Sequence, residues 1–128
     1  LREPSSLTES KKSALTAGGE IAHSPNFYCQ AGKATFMVNP CGEMNACLNL
    51  PQPATRPLDV GFQTAWEEVQ DYVDSAPPAD PECQVCKDRS YCPRCPAWSA
   101  LETGTLTKPV PYLCEIAHAR KIRYAQLA

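Results

Sequence analysis

The sequence predicts a small, irregular α+β domain in which one β-hairpin and two helices are held together by more than an apolar core. Its 128 residues include 13 prolines and six glycines, and aromatic residues make up 8 %, so few apolar stretches are long enough for regular elements. Eight cysteines follow residue 28. We therefore expect cross-links or bound metal to supply part of the stability.

The composition of the chain changes near residue 25. Residues 1–24 are rich in serine, threonine, lysine, glycine and alanine, and Gly18-Gly19 interrupts any helix begun there. This composition predicts a flexible leader or the remnant of a preceding domain. The cysteine-bearing domain is then expected to span residues 25–128.

The hairpin is predicted between residues 34 and 47. Ala34-Thr35-Phe36-Met37-Val38 has strand composition. Asn39-Pro40-Cys41-Gly42 supplies a turn, in which proline fixes φ and glycine is free to adopt a positive φ. Residues 43–47 would form the returning strand, with Cys29 before the hairpin and Cys47 at its far end.

Two helices are predicted from apolar spacing and from the position of a proline. Between residues 61 and 74 the apolar side chains at helical spacing are Phe62, Ala65, Trp66, Val69 and Val73. The opposite, polar face is interpreted as solvated surface without a catalytic role. The last helix is predicted from Pro111 or Tyr112 to about Tyr124, because proline favours a first turn and three basic residues stand near the other end.

Four of the cysteines form the run Cys83-x2-Cys86-x5-Cys92-x2-Cys95. A Cys-x2-Cys turn places two sulfurs on one side of a tight loop, and both zinc sites and iron–sulfur proteins use it. Eight thiolates are what two four-thiolate centres need. We therefore predict two metal sites, with Cys114 placed where a helix N-terminus favours a thiolate.

Two other interpretations of the cysteines stay open. A disulfide scaffold would also use an even number of cysteines, although the paired x2 spacings favour chelation. A zinc-stabilised interaction module would use the same thiolates as structural ligands. The pairs of a zinc ribbon are usually separated by roughly 15–20 residues, whereas five residues separate Cys86 from Cys92, so the spacing favours iron–sulfur clusters.

The cysteine pattern resembles that of the SPASM domain, the carboxy-terminal auxiliary-cluster module of radical S-adenosylmethionine enzymes that modify peptides and proteins. That family has Cys-x(9–15)-Gly-x4-Cys, then Cys-x2-Cys-x5-Cys-x3-Cys, then a last cysteine. The matching positions are Cys29, Gly42, Cys47, Cys83, Cys86, Cys92 and Cys114. Cys95 follows Cys92 after two residues where the family usually has three. The resemblance covers about residues 28–119.

The resemblance implies two [4Fe-4S] clusters. It assigns Cys29, Cys47 and Cys95 to the first cluster and Cys83, Cys86, Cys92 and Cys114 to the second. The first cluster then has three matched ligands. Its fourth ligand would be Cys41, the spare thiol one residue before Gly42, or would come from elsewhere, or the position would stay open for substrate.

The resemblance also implies a function and partners. The Cys-x3-Cys-x2-Cys motif that holds the catalytic cluster of the radical enzymes does not occur here, so this chain alone should not cleave S-adenosylmethionine, and no catalytic residue is assigned. We expect an auxiliary domain for electron transfer and substrate docking. Its partners would be a radical S-adenosylmethionine partial barrel, in the same chain or another, a peptide or protein substrate, and an external electron carrier. A cytoplasmic location is expected.

Charge and hydropathy exclude other classes of function. The net charge is −2 and the basic residues are spread along most of the chain, so no nucleic-acid groove is predicted. No apolar run approaches the roughly 20 residues that a membrane span requires.

The remaining candidate side chains are the two histidines and three aromatic residues. His118 stands four residues after Cys114 on the same helical face, so it is interpreted as a hydrogen-bonding partner of a cluster, a substitute ligand or a packed side chain. His23 is interpreted as exposed. Tyr28, Tyr91 and Trp98 adjoin ligand positions and are predicted to shield a cluster from water or to pack in the core.

Overall fold

The computed structural model describes residues 26–127, so the predicted leader and His23 lie outside the described residues. Strands β1 (Met37–Val38) and β2 (Met44–Asn45) form an antiparallel hairpin. The helices are α1 (Pro57–Val60), α2 (Phe62–Asp74), α3 (Pro81–Gln84), a 3₁₀ turn (Arg89–Tyr91), α4 (Pro96–Thr103) and α5 (Pro111–Leu127). The described chain is a small α+β structure with one hairpin, as predicted.

Asn39 holds the hairpin turn. Its carboxamide oxygen accepts hydrogen bonds from the N–H groups of Cys41 (2.9 Å) and Glu43 (3.0 Å), an Asx arrangement common in turns. Gly42 has φ +78°, a conformation that glycine adopts without a steric cost. The ladder has two residues on each strand, shorter than the predicted strands. Met44 also pairs on its other side with Thr55 (2.6 and 3.1 Å).

Helix α2 positions the hairpin through one buried stripe. Ala65, Val69 and Val73 recur at intervals of four residues and are fully buried, and the helix packs on β2 and on α1. The helix begins at Phe62, one residue after the predicted start, because Gly61 is its N-cap with φ +89°. The amphipathic helix is therefore where its periodicity predicted it.

Three helices were not predicted, and each begins with a proline. Pro57, Pro81 and Pro96 stand at the first turns of α1, α3 and α4, where the fixed φ of proline suits a helix and its missing N–H costs nothing. The prediction of extended loop at these three prolines is therefore wrong. Helix α5 begins at Pro111 as predicted and ends at Leu127 instead of near Tyr124.

The main core lies between α2, the hairpin and α4. Its buried members are Phe27, Ala31, Met44, Ala46, Leu50, Ala65, Val69, Val73, Ala76 and Ala97. Half of them are alanine, so the core is built largely from small side chains. Among residues 26–127, no helix combines the length and the apolar character needed to span a bilayer.

Candidate metal centre

Four cysteines line one cavity of about 590 Å³. They are Cys83, Cys86, Cys92 and Cys114, which are also the four that the resemblance assigns to the second cluster. The cavity is much larger than the roughly 30 Å³ that one water molecule occupies in the liquid. The sequence therefore folds so that thiols from a 10-residue loop and from a helix 19 residues further on surround one space.

Tight backbone turns set the positions of these cysteines. The N–H of Cys83 donates to the carbonyl of Asp80 (2.9 Å) in α3, and the N–H of Cys92 donates to that of Arg89 (3.0 Å) at the 3₁₀ turn. The N–H of Cys114 donates to the carbonyl of Val110 (3.2 Å) in the first turn of α5. Each of these three cysteines therefore lies in a turn that its own backbone hydrogen bond closes.

Helix α5 is fastened to the cysteine loop by charged and aromatic contacts. Lys121 donates to the Asp88 carboxylate (2.6 Å), and Nδ1 of His118 lies 3.2 Å from the other oxygen. The hydrogen bond from Lys121 lowers the pKa of Asp88, His118 acts in the same direction, and burial opposes both. Tyr91 stacks on Tyr124 with 5.9 Å between ring centroids. These contacts hold the helix that carries Cys114 against the loop that carries the other three thiols.

Two sequence interpretations are refined by these contacts. His118 pairs with Asp88, and its side chain is 61 % exposed, so its contact is with a carboxylate and not with a thiol. Tyr91 packs on α5. Trp98 is 41 % exposed and meets Tyr112 edge to face at 6.1 Å.

The thiols of this group influence one another. Burial raises the pKa of Cys114, and the neighbouring thiols of Cys92, Cys83 and Cys86 raise it further. Burial also raises the pKa of Cys83, against the opposing effect of the Arg94 guanidinium. Mutual repulsion of this kind is what a bound cation relieves, since it favours the thiolate form of every ligand.

A second group consists of Cys29, Cys47 and Cys95. Burial raises the pKa of Cys47, backbone hydrogen bonding at Asn49 lowers it, and the thiols of Cys95 and Cys29 raise it. Cys95 is the N-cap residue of α4. Cys29 is exposed, whereas the other two are half-buried, so this group lies at the surface.

Cys41, the spare thiol of the sequence analysis, is not grouped with Cys29, Cys47 and Cys95. It is exposed at the tip of the hairpin turn, with its N–H bonded to Asn39. Within the described residues, the thiols that act on Cys47 are those of Cys95 and Cys29 and do not include Cys41.

The two groups are close along the chain at two points. Cys92 and Cys95 belong to different groups, yet three peptide steps separate their Cα atoms by at most about 11 Å. Tyr28, which precedes Cys29, lines the cavity of the other group. Arg89 donates a hydrogen bond to its hydroxyl and lies over its ring, with the guanidinium carbon 5.5 Å from the centroid.

The thiols surround a space and do not converge on a point. All eight cysteines are free. Within residues 26–127, no three histidine, cysteine, aspartate or glutamate side chains are close enough to bind one metal ion together. The arrangement at the cavity is therefore that of four sulfurs distributed over its wall.

Sequence reasoning missed Arg94 and Asp88. Arg94 lines the cavity, and Asp88 anchors α5. The sequence did offer one indication for Arg94, because a charged residue between two cysteines, as in Cys92-Pro93-Arg94-Cys95, is expected to lie near their thiols. The spacing could not show that this arginine is turned into the structure.

Comparisons of the chain with protein-family models, with curated proteins and with solved structures found no match.

Proposed function

We propose that this chain is an auxiliary iron–sulfur domain, similar to a SPASM domain, of a radical S-adenosylmethionine enzyme that modifies a peptide or protein. It serves electron transfer and substrate docking and has no activity alone. The observation that carries the proposal is the cavity lined by Cys83, Cys86, Cys92 and Cys114. A polynuclear group needs four thiolates around a space larger than one ion occupies.

The donor set and the charge of the cavity fit such a group. All four cysteine side chains at the cavity are thiols, the ligand class of iron–sulfur clusters, and the cationic guanidinium of Arg94 lines the same cavity. Cys83, Cys86, Cys92 and Cys114 would hold the second cluster, and Cys29, Cys47 and Cys95 the first. When bound, such clusters supply one-electron transfer at potentials set by their surroundings.

The two groups of thiols suit electron transfer because the chain keeps them near one another. Cys92 and Cys95 tie the two sites together through three peptide steps, at most about 11 Å between Cα atoms. The arrangement supports passage of an electron through the domain without a large movement of the chain.

The first group suits substrate docking because it lies at the surface and has three thiols. Cys29 is exposed, so a peptide can reach this side of the domain. With Cys41 standing apart at the turn tip, the fourth position of the first cluster is open to an atom of the substrate.

Metal analysis of anaerobically purified chain tests the proposal. Iron, sulfide and zinc are quantified per chain, and optical and electron paramagnetic resonance spectra are recorded on the same sample. We expect roughly eight iron and eight sulfide per chain, with absorption at about 400 nm. Roughly two zinc and no sulfide, persisting after anaerobic reconstitution with iron and sulfide, would make this a structural zinc module and overturn the redox function.

A further inference from the structure

Arg94 is held by acceptors from three other residues. Its guanidinium donates to the Asn26 side-chain oxygen and to the carbonyls of Leu106 (2.8 Å) and Thr107 (3.1 Å). Asn26 is fully buried and itself donates to the Leu106 carbonyl (3.0 Å). Since all three partners are neutral, the positive charge of Arg94 is oriented by them without being cancelled.

These three bonds leave two of the five guanidinium N–H groups, one of them on Nε. Among the described residues, Nε of Arg94 is the buried side-chain nitrogen or oxygen atom that meets no acceptor with full hydrogen-bond geometry, although the guanidinium lies within hydrogen-bonding reach of the Cys83 thiol. A buried donor without a well-formed hydrogen bond is costly, and a bound group that accepts a hydrogen bond from it removes that cost. Arg94 also lines the cavity of the four cysteines, so this residue forms part of the wall of the proposed second cluster site.

The charge of Arg94 already reaches a ligand. Burial raises the pKa of the Cys83 thiol, and the Arg94 guanidinium is the strongest influence in the opposite direction. Glu82, on the same cavity wall, acts against Arg94 by raising that pKa. Arg94 and Cys83 also line the same cavity, so the guanidinium lies at the wall of the space that the four thiols line.

We propose that Arg94 is a positioning residue that sets the reduction potential of the group held by Cys83, Cys86, Cys92 and Cys114. Its fixed positive charge and its Nε–H act on the sulfurs of that group. This inference rests on the proposed function, because it requires an iron–sulfur cluster at that site. Arg94 is not a ligand, and its charge would give the second cluster a higher reduction potential than it would have without this residue.

The direction of the effect follows from charge. One-electron reduction adds one negative charge to the cluster, and a nearby cation stabilises the reduced form more than the oxidised form. Hydrogen bonds to the sulfurs act in the same direction. Arg94 therefore raises the potential of the second cluster, whose cavity it lines, more than that of the first cluster.

Redox titration of variants of the whole 128-residue chain tests this role. Arg94→Gln, Arg94→Lys and the exposed control Arg123→Gln are purified anaerobically, assayed for iron and sulfide, and titrated with dithionite while electron paramagnetic resonance is recorded. We expect Arg94→Gln to keep both clusters and to shift one of the two midpoint potentials to a lower value. The other midpoint shifts less, and Arg94→Lys, which keeps the charge, gives a smaller shift than Arg94→Gln.

The control separates a specific effect from a loss of net charge. Arg123→Gln removes the same charge from the solvent-exposed side of α5, where water and salt screen it, so both midpoints should match those of the parent chain. Equal shifts in Arg123→Gln and Arg94→Gln would overturn the inference.

The other possible results of the Arg94→Gln titration also support or overturn the role of Arg94. Unchanged midpoints in an Arg94→Gln variant that carries about eight iron would overturn the role of Arg94 and leave the proposed function intact. If Arg94→Gln loses the second cluster, Arg94→Lys decides: retention of the cluster at a parent-like potential supports the charge, and the same loss assigns Arg94 a structural role alone. A parent chain that binds zinc and no sulfide overturns both proposals together.

Discussion

Cys41 and Cys47 lie in the same hairpin and differ in their surroundings. Cys47 is half-buried beside the thiols of Cys95 and Cys29, whereas Cys41 is exposed at the turn tip. We expect Cys47→Ala to remove roughly four of the eight iron atoms per chain, and Cys41→Ala to remove few or none. Iron and sulfide quantitation after anaerobic purification measures both. Loss of an entire cluster in Cys41→Ala would make that thiol the fourth ligand and close the proposed open site.

Cys86 and Cys114 come from different elements and line the same cavity. Cys86→Ala and Cys114→Ala should each reduce the iron content to roughly four per chain and leave the first cluster's resonance signal. The double variant should lose no more iron than either single variant, because the two thiols hold one group. A double variant with clearly less iron than both single variants would place the two residues in different sites.

At the level of residues, the sequence pattern groups cysteines better than it predicts their surroundings. Metal chemistry restricts both residue type and spacing, so Cys83, Cys86 and Cys114 could be proposed as one group from the pattern alone, and the structure brings them to one cavity. Arg94 could not, because its burial depends on Asn26 and on the carbonyls of Leu106 and Thr107. None of those partners has a fixed place in a sequence pattern.

The packing of α2 depends on Gly32. A β-carbon at this residue would lie 2.5 Å from Cγ2 of Val73 and 3.4 Å from the carbonyl oxygen of Val69, and its φ is +68°. We expect Gly32→Ala to lower the free energy of unfolding by about 2–4 kcal/mol, from overpacking and from the left-handed backbone together. Urea denaturation of the iron-loaded chain under anaerobic conditions measures it.

Gly104→Ala is the matched control for that substitution. Gly104 also has a positive φ, +78°, but a β-carbon there would meet no atom within 4 Å. Gly104→Ala should therefore lower the free energy of unfolding by about 1 kcal/mol, which is the contribution of the backbone conformation alone. Equal losses in the two variants would show that contact with Val73 contributes nothing and that α2 can shift to accept the methyl group.

The docking of α5 on the cysteine loop depends on Lys121 and Asp88. Lys121→Ala removes the 2.6 Å hydrogen bond to Asp88 and leaves the Tyr91–Tyr124 stack. We expect faster loss of the second cluster's iron to a chelator, because Cys114 is then held less firmly over the cavity. The control is Arg123→Ala, an exposed residue of the same helix, which should leave that rate unchanged. Equal rates in the two variants would show that the ion pair does not retain the cluster.

At the level of elements, periodicity predicts the long helices and fails for the short ones. Helix α2 is predicted because Ala65, Val69 and Val73 fall on one face. Helix α4 runs for eight residues from Pro96 and ends before Gly104, which has a left-handed backbone. Eight residues are too few to show a helical period, and a proline at the start of a segment is as typical of a loop as of a first helical turn. The start of α4 is decided by tertiary packing, since Pro96 and Ala97 are buried.

For the molecule as a whole, the apolar core is small, and the proposed metal sites would add to the stability that it provides. Half of the ten buried core residues are alanine, each contributing roughly 0.8 kcal/mol through its methyl group. Ordering the backbone costs about 1–2 kcal/mol per residue. Larger side chains such as Leu58 (92 % exposed) and Leu48 (79 % exposed) lie outside the core. Metal at the two groups of thiols would link the hairpin, the cysteine loop, α4 and α5.

Removal of the metal should therefore unfold most of the chain. Binding free energy at a site that does not exist in the unfolded chain is folding free energy, and here the ligands come from elements far apart in sequence. We expect chelation under reducing, anaerobic conditions to abolish most of the helical circular dichroism and to collapse the dispersion of the amide resonances. Reconstitution with iron and sulfide should restore both, which separates unfolding from irreversible damage. A metal-free chain that keeps its helical signal and its amide dispersion would contradict this prediction, because the alanine-rich core would then be sufficient to hold the fold.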